Sequence, residues 1–408
     1  MKIHFIGIGG IGTSALAQYY LAKGHEVSGS DLVMSEITDM VAKKGVKIFE
    51  GNSADNISKN IDLVVHSPAA PATNPEYKAA KDSGIKTQSY PEALGDLTKE
   101  FYTIAVSGSH GKSTTTAMIG LMMERAGLDP TVIIGTKVKE FGNSNFREGN
   151  SKYLVIEACE YDSSFLHYAP AIIVITNVDK EHLDYFKTFE NVKRAFRDFA
   201  DKLPSDGHLI ENTAINIKIK NLLQVPGEHN ELNASQAFEV GKILGIDEKI
   251  ILESLAEFKG TWRRFEVKQG FAGNKEIIVV SDYGHHPNEV AATLKAAREK
   301  YGAKKIWCVF QPHQYQRTYY LFDDFVKIFK AAPIDKTIIT DIYDVAGREV
   351  KEISQDVSSK KIVDKVAKDS VIYLELQNIA EHLKQNMQTG DVLVVMGAGD
   401  IYKLADEF

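Results

Sequence analysis

The chain has 408 residues, a formal charge of −7, 44% hydrophobic and 25% charged residues. That length outgrows a single core, so two or three domains are expected. The acidic balance argues against a nucleic-acid binder, and the absence of a run of about 18 apolar residues argues against a membrane span. The cysteines, Cys159 and Cys308, sit in apolar, strand-like runs without Cys-x-x-Cys spacing. They read as buried, reduced thiols of a cytoplasmic protein.

In chain order, residues 2–8 (KIHFIGI) form an apolar run that superficially resembles a signal peptide. Gly7, Gly9, Gly10 and Gly12 interrupt it, and a first strand followed by a helix to Lys23 fits better. Gly7-Ile8-Gly9-Gly10-Ile11-Gly12 satisfies G-x-G-x-x-G, and a strand over 26–30 delivers Asp31 at the spacing of the dinucleotide fingerprint, about 20 residues on. Such glycines admit a diphosphate and the acid reaches a ribose, which suits NAD and UDP equally. A helix–sheet packing turn without a ligand is the plain alternative. A strand over 63–66 ends in Ser67-Pro68-Ala69, the kind of loop where an α/β sheet places ligands.

The next unit opens with a strand over 102–106 and the loop Ser107-Gly108-Ser109-His110-Gly111-Lys112-Ser113-Thr114. A helix follows, with Met118, Leu121 and Met122 on one face and Gly127 as its stop. Loop amides and the helix dipole would hold an anion, Lys112 the outer phosphates and Ser113 a metal ion. Val106 stands where a full Walker A pattern needs glycine, so an ordinary strand–helix turn with a surface lysine stays open. A strand over 153–156 ends at Glu157, and one over 172–176 ends at Asn177 with His182 just beyond. Parallel strands would bring these groups to one sheet edge. Helices are expected over 190–202 and 231–244, the latter opening near Asn230 and Asn233.

Gly260-Thr261-Trp262-Arg263-Arg264 marks a last boundary. Beyond it, a strand over 277–282 delivers Tyr283-Gly284-His285-His286-Pro287, and one over 305–311 delivers Pro312-His313-Gln314-Tyr315-Gln316-Arg317. Further strands are expected near 337–342, 371–376 and 391–396, the last leading into Gly397-Ala398-Gly399-Asp400. The pair His285-His286 lacks the further Cys, His or Asp spacing of a zinc site. Alternating strands and helices imply an α/β protein with mostly parallel sheets.

The ordered set GIGGIG, SGSHGKST, EACEYDSSF, TNVDKEHLDYF, GTWRRFE, DYGHHP, PHQYQRT and GAGDI resembles the Mur ligases of peptidoglycan synthesis along essentially the whole chain. The resemblance implies three domains: a Rossmann-like UDP-sugar domain (1–98), a central P-loop-type ATPase domain with a mostly parallel sheet (99–258) and a Rossmann-like C-terminal domain (259–408). It favours UDP over NAD at the first motif, with Gly7, Gly9, Gly10, Ile11, Gly12, Asp31 and Ser67 as the subsite. ATP would be held by Gly108 to Thr114 together with Asn177, Asn230, Asn233 and Arg264. Mg²⁺ would be held by Ser113, Glu157 and His182, with Mn²⁺ as an alternative because histidine is an unusual Mg²⁺ ligand. Tyr283, His285, His313 and Arg317 would lie near the amino acid and the reacting carboxyl. Lys112, Glu157, His182, His285 and Arg317 are the implied catalytic set.

Within the family, PHxYxRT favours the branch that adds L-alanine to UDP-N-acetylmuramate over the branch that recycles a tripeptide. The implied partners are those two substrates and ATP, with neither nucleic acid nor membrane, for a monomer or weak homodimer. Departures from the family pattern are Gln314 where arginine is usual, Tyr90 near a position that is often arginine, Ser281 where aspartate is usual, and a short chain that implies trimmed loops. No lysine stands at Arg194-Ala195-Phe196, where other branches carry a carbamylated one. A nicotinamide-dependent oxidoreductase would leave Lys112, Glu157 and His182 without a role. A non-catalytic nucleotide-binding protein would make Gln314 a mark of lost chemistry.

Overall fold

Apolar β-branched runs such as Ile104–Val106, Ile172–Ile175 and Val392–Val395 are buried on both faces, as the strands of helix-covered parallel sheets must be. A computed structural model describes residues 1–344 and 351–408. They divide into two compact units, 1–223 with 231–258, and 224–230 with 259–408.

The first unit contains two sheets. One comprises β1 (Lys2–Ile6), β2 (Glu26–Asp31), β3 (Lys47–Glu50), β4 (Leu63–His66) and β5 (Lys86–Ser89), in the order β3-β2-β1-β4-β5. All its pairings are parallel. The other comprises β6 (Tyr102–Ser107), β7 (Thr131–Val138), β8 (Ser144–Arg147), β9 (Tyr153–Glu157), β10 (Ile172–Ile175) and β11 (His208–Ile210), in the order β11-β10-β6-β9-β7-β8. It is parallel except for the β7–β8 hairpin. That hairpin is absent from the sequence reading, because its turn residues carry no Asn-Gly signal and its apolar run is short.

The two sheets share one core. Phe5, Leu16 and Tyr19 belong to the same buried cluster as Phe146, Phe165 and Phe199. A buried polar seam runs beside it. Gln18 Nε2 donates to Asn145 Oδ1 at 2.7 Å, and Gln18 Oε1 accepts from Lys44 Nζ at 2.6 Å and from Ser144 Oγ at 2.9 Å. Asn145 Nδ2 donates to the Ile11 carbonyl and to Ser14 Oγ. Each group is satisfied, so the seam fixes geometry without the penalty of an unpaired polar atom. Helix Ile11–Ala22, which starts at the first glycine loop, is thereby tied to the hairpin of the central sheet.

Helix Lys112–Arg125 departs from the expected single stripe. Met118 and Met122 are buried, but so are Thr114, Thr115, Thr116 and Met123, while Leu121 is only half-buried. The helix packs between the sheet strands β7 and β9 and helix Glu248–Glu257, so it hides more than one face.

In the second unit, β12 (Glu266–Ala272), β13 (Lys275–Asp282), β14 (Ile306–Phe310), β15 (Lys336–Ile339), β16 (Val371–Tyr373) and β17 (Val392–Met396) follow the order β12-β13-β17-β14-β15-β16. The β12–β13 pair is antiparallel and the rest are parallel. Apolar clusters cover both faces of this sheet.

Cys308 is buried in β14, as expected. Cys159 is not: β9 ends at Glu157, and Cys159 stands exposed in the following turn. No described helix is long and apolar enough to cross a membrane.

Candidate active site

In the first sheet, the strand order reverses direction at β1, whose neighbours are β2 and β4, and the predicted residues meet at that crevice. Gly7 and Ile8 donate their N–H groups to the Ser30 carbonyl at 2.9 and 3.0 Å. Asp31, at the end of β2, accepts from Gly9 N–H at 2.8 Å through Oδ2 and from Val33 N–H at 3.3 Å through Oδ1. Ser67, after β4, packs on Gly7. Gly10 is the N-cap residue of the helix that Ile11 opens, and its N–H bonds back to the Gly7 carbonyl at 3.2 Å. Tyr90 lies on Gly12, and an added Cβ there would stand 2.8 Å from the phenol oxygen.

The second crevice lies at the carboxyl edge of β6, β9 and β10. Gly108 has φ of 135°, and a side chain there would collide with Thr176, so the loop turns where only glycine fits. Asn177, expected on the nucleotide, grips the loop itself. Its Oδ1 accepts from His110 N–H at 2.9 Å and its Nδ2 donates to the His110 carbonyl at 2.9 Å. Ser109 Oγ accepts from Asp179 N–H at 2.8 Å. Asn233 lies against Gly111, and Thr114 is buried in the first turn of the helix.

Ser113 Oγ donates to Glu157 Oε2 at 2.8 Å, and Gly135 N–H of β7 donates to the same oxygen at 2.9 Å. These converging oxygens suit a hard divalent cation, whose chemistry favours carboxylate and hydroxyl donors. Lys112 is held rather than mobile. Its ammonium donates to the Gly108 and Ser109 carbonyls and pairs with Glu160 at 3.0 Å. Glu160 is 1% exposed, and His182 Nε2 stands 3.5 Å from its other oxygen. Despite burial, the Lys112 charge and a hydrogen bond from the His182 ring hold the Glu160 carboxyl down to about 2, and Lys112 is pushed up in turn by Glu160 and its neighbouring acids against the effect of burial. His182 adopts a left-handed backbone, φ 56°, with its ring edge-on to Tyr161 at 4.9 Å.

Sequence reasoning takes only Glu157 from Glu157-Ala158-Cys159-Glu160. Glu160, buried against Lys112 and His182, is the site residue it misses. The available signal was a second acid one turn later beside a phosphate loop.

The third crevice, in the second unit, lies beyond the carboxyl ends of β13, β14 and β17. His285 Nδ1 is 3.1 Å from the Tyr283 carbonyl, which assigns the proton to Nδ1 and leaves Nε2 as an acceptor. Burial first, then Arg317 and His313, hold His285 well below the ordinary histidine range, so it is neutral at pH 7. His313 stacks on Tyr343 at 5.5 Å, and Arg317 Nη1 is 3.3 Å from His313 Nδ1. The two arginines of Trp262-Arg263-Arg264 separate in role. Arg263 is 5% exposed and donates to the Gly397 and Gly399 carbonyls, clamping the GAG turn. Arg264 lies 5.0 Å over the Tyr283 ring and 3.6 Å from Glu289. Asn230 donates to the Pro226 carbonyl at 2.7 Å.

Comparison with known proteins matches three family models in order. They are the Mur ligase family catalytic domain over residues 2–102, the Mur ligase middle domain over 106–225, and the Mur ligase glutamate ligase domain over 263–399. The UDP-N-acetylmuramate–L-alanine ligase of Caldanaerobacter subterraneus subsp. tengcongensis is 41% identical, across 100% of this chain and 97% of that protein. The enzyme of the same name from Acetivibrio thermocellus is 40% identical, across 100% and 95%. The first of these alignments runs over 457 positions, so this chain carries internal deletions. Among solved structures, the UDP-N-acetylmuramate–alanine ligase of Thermotoga maritima superposes with a TM-score of 0.83 at 28% identity, covering 100% and 98% of the two chains. A murein peptide ligase of Psychrobacter arcticus shares the fold, with a TM-score of 0.72 at 22% identity over 100% and 98%. The chain belongs to the Mur ligase family.

Proposed function

We propose that the protein is an ATP-dependent ligase that joins L-alanine to UDP-N-acetylmuramate in the cytoplasm, releasing ADP and phosphate. It would act as a monomer or weak homodimer through domains 1–98, 99–258 and 259–408. The carrying observation is the phosphate-loop cluster: a lysine, a hydroxyl and two carboxylates are gathered around a glycine turn in the same unit as a diphosphate-type glycine crevice. Relatives near 40% identity that bear the name of this reaction support the substrate assignment.

A carboxylate is a poor electrophile, so activation precedes amide formation. An oxygen of the lactyl carboxylate attacks the γ-phosphorus in line, and ADP leaves. The alanine amine then attacks the acyl carbon of the resulting acyl phosphate. Phosphate leaves with the bridging oxygen, and the amine gives up its proton.

The protein's part is positioning and charge compensation. Lys112 passes from Glu160 to the outer phosphates. Asn177 keeps the loop amides turned inward, while Asn230, Asn233 and Arg264 are assigned to the adenine nucleotide. Gly7 to Gly12, Asp31 and Ser67 receive the UDP moiety. Ser113 and Glu157, together with His182, whose ring rests on Glu160, would hold a divalent cation, Mg²⁺ or Mn²⁺; when bound it supplies charge neutralisation and orientation for the phosphoryl group. Tyr283, neutral His285, His313 and Arg317 are assigned to alanine, with His285 Nε2 as a hydrogen-bond acceptor for the amine.

The test is phosphate release from ATP with UDP-N-acetylmuramate and, in turn, L-alanine, glycine, L-serine and L-Ala-γ-D-Glu-meso-diaminopimelate. Release requiring the sugar nucleotide and L-alanine together is expected. Release driven by the tripeptide alone would assign the recycling reaction, and no stimulation by any acceptor would sink the ligase reading.

A further inference from the structure

Glu76 is a fully buried charge, 0% exposed, in the first turn of helix Pro75–Asp82. Burying a carboxylate is costly, and an apolar side chain in its place would avoid that cost. Among the described residues no lysine or arginine pairs with it.

Its carboxylate is instead surrounded by donors from three other segments. Oε2 accepts from Ser30 Oγ, near the end of β2, and stands 3.6 Å from His4 Nε2 of β1. Oε1 accepts from Asn56 Nδ2 and, at 3.4 Å, from Ser53 N–H. Burial works against the charge, but the His4 ring, Ser30 and Asn56 outweigh it and hold the carboxyl below the ordinary glutamate range. An ionised carboxylate is acceptor-only, so it receives donors on both oxygens at once. Glutamine would turn an N–H toward one of them.

Ser30 gives this cluster a direction. Its carbonyl takes the N–H groups of Gly7 and Ile8 at 2.9 and 3.0 Å. The next residue, Asp31, takes Gly9 N–H at 2.8 Å. The glycine turn therefore rests on two consecutive residues of β2. Ser30 holds the turn through its main chain and is itself held by Glu76 through its hydroxyl. The other acceptor within reach of that hydroxyl, Asn52 Oδ1, is distant at 3.3 Å.

Resting on the assignment of this turn to UDP, we propose that Glu76 is a positioning residue for the sugar nucleotide: through the Ser30 hydroxyl it fixes the end of β2, and with it the amides of the glycine turn that receive the diphosphate. Glu76 acts through Ser30 and touches no substrate itself.

The test measures UDP binding by calorimetry, thermal melting and steady-state kinetics in the full chain, for wild type, Glu76→Gln, Ser30→Ala and Asn56→Ala. Ser30→Ala and Asn56→Ala each remove one donor from Glu76, on opposite oxygens, and only Ser30 leads to the glycine turn. Both should lower the melting temperature. Glu76→Gln and Ser30→Ala should weaken UDP binding about 10-fold, within the range of coupling through packed networks. They should raise the KM for UDP-N-acetylmuramate by the same factor and leave kcat and the KM for ATP unchanged, the signature of lost ground-state binding. Asn56→Ala should leave UDP affinity unchanged. Equal losses of UDP affinity in Ser30→Ala and Asn56→Ala, or no loss in Ser30→Ala, overturn the proposal. So does a fall in kcat without a rise in KM. The Ser30 and Asn56 pair decides the matter even where Glu76→Gln does not fold. Wild-type protein that binds no UDP would sink the UDP assignment itself, and the proposal with it.

Discussion

The phosphate-loop crevice and the C-terminal crevice are built on the same plan and carry opposite electrostatics. Both lie beyond the carboxyl ends of parallel strands, where neighbouring connections diverge. The first holds charge already paired, Lys112 on Glu160, with His182 beside the same acid and Ser113 Oγ hydrogen-bonded to Glu157. The second keeps His285 neutral, with Arg317 close by and His313 flat on Tyr343. On the proposed ligase reading, the difference follows the chemistry each crevice would serve. Phosphoryl transfer needs positive charge in place before the substrate arrives. An incoming amine needs an acceptor that is not itself protonated. On that reading the nucleotide side is pre-charged and the acceptor side pre-neutralised.

The contrast is broken most severely at Lys112. Lys112→Met should lower kcat by about 10³-fold, in line with loss of a main electrostatic group at a phosphoryl centre. It also strands Glu160, so urea unfolding should report a stability loss of about 3–5 kcal/mol, the usual cost of breaking a buried pair from one side. Full activity in this variant would contradict the pre-charged picture.

Glu160→Gln probes the same pair from the other end. With the acid gone, ATP phosphates meet less negative charge, so the KM for ATP should fall. Lys112 and His182 lose their shared anchor, so kcat should fall as well, by about 10-fold. A fall in kcat with an unchanged KM would instead describe a merely structural acid.

His285 sharpens the neutral side through pH. Its folded-state affinity for a proton is lowered, so the unfolded chain binds a proton that the folded chain refuses once pH drops below the ordinary histidine value of 6.5. Stability from this group is therefore full above that pH and lost as pH falls from there toward the lower folded value. In His285→Asn, the decline in unfolding free energy between pH 7 and pH 5, read from urea titrations, should be shallower, by up to about 1.4 kcal/mol per pH unit at the steepest.

The smallest effect is expected at Gln314, the N-cap residue of helix Tyr315–Tyr320, with φ of 71°. Gln314→Gly should relieve roughly 1 kcal/mol of backbone strain and raise the melting temperature slightly. Glycine selectivity over alanine should not change if the site responds only to Arg317 and the histidines.

How much of this was legible in the sequence differs by residue type. Strand ends were readable because apolar runs stop sharply at polar residues, which is why Asp31, Glu157 and Asn177 emerge where the chain order put them. The β7–β8 hairpin was not, since its stability comes from pairing and from the Asn145 seam, which joins residues more than a hundred positions apart. Glu160 escaped because an acid in a turn is ordinarily a solvated one. Only folding reveals that it is buried against Lys112. Cys159 erred in the other direction, since the apolar run that suggested a strand ends two residues earlier.

The most direct measurement uses UDP-N-acetylmuramate labelled with oxygen-18 in the lactyl carboxylate. Turnover with ATP and L-alanine is followed by mass analysis of the released phosphate. If the phosphate loop serves to activate that carboxylate, the phosphate carries a labelled oxygen from it at each turnover. Phosphate released without label, while the amide product forms, would contradict the account.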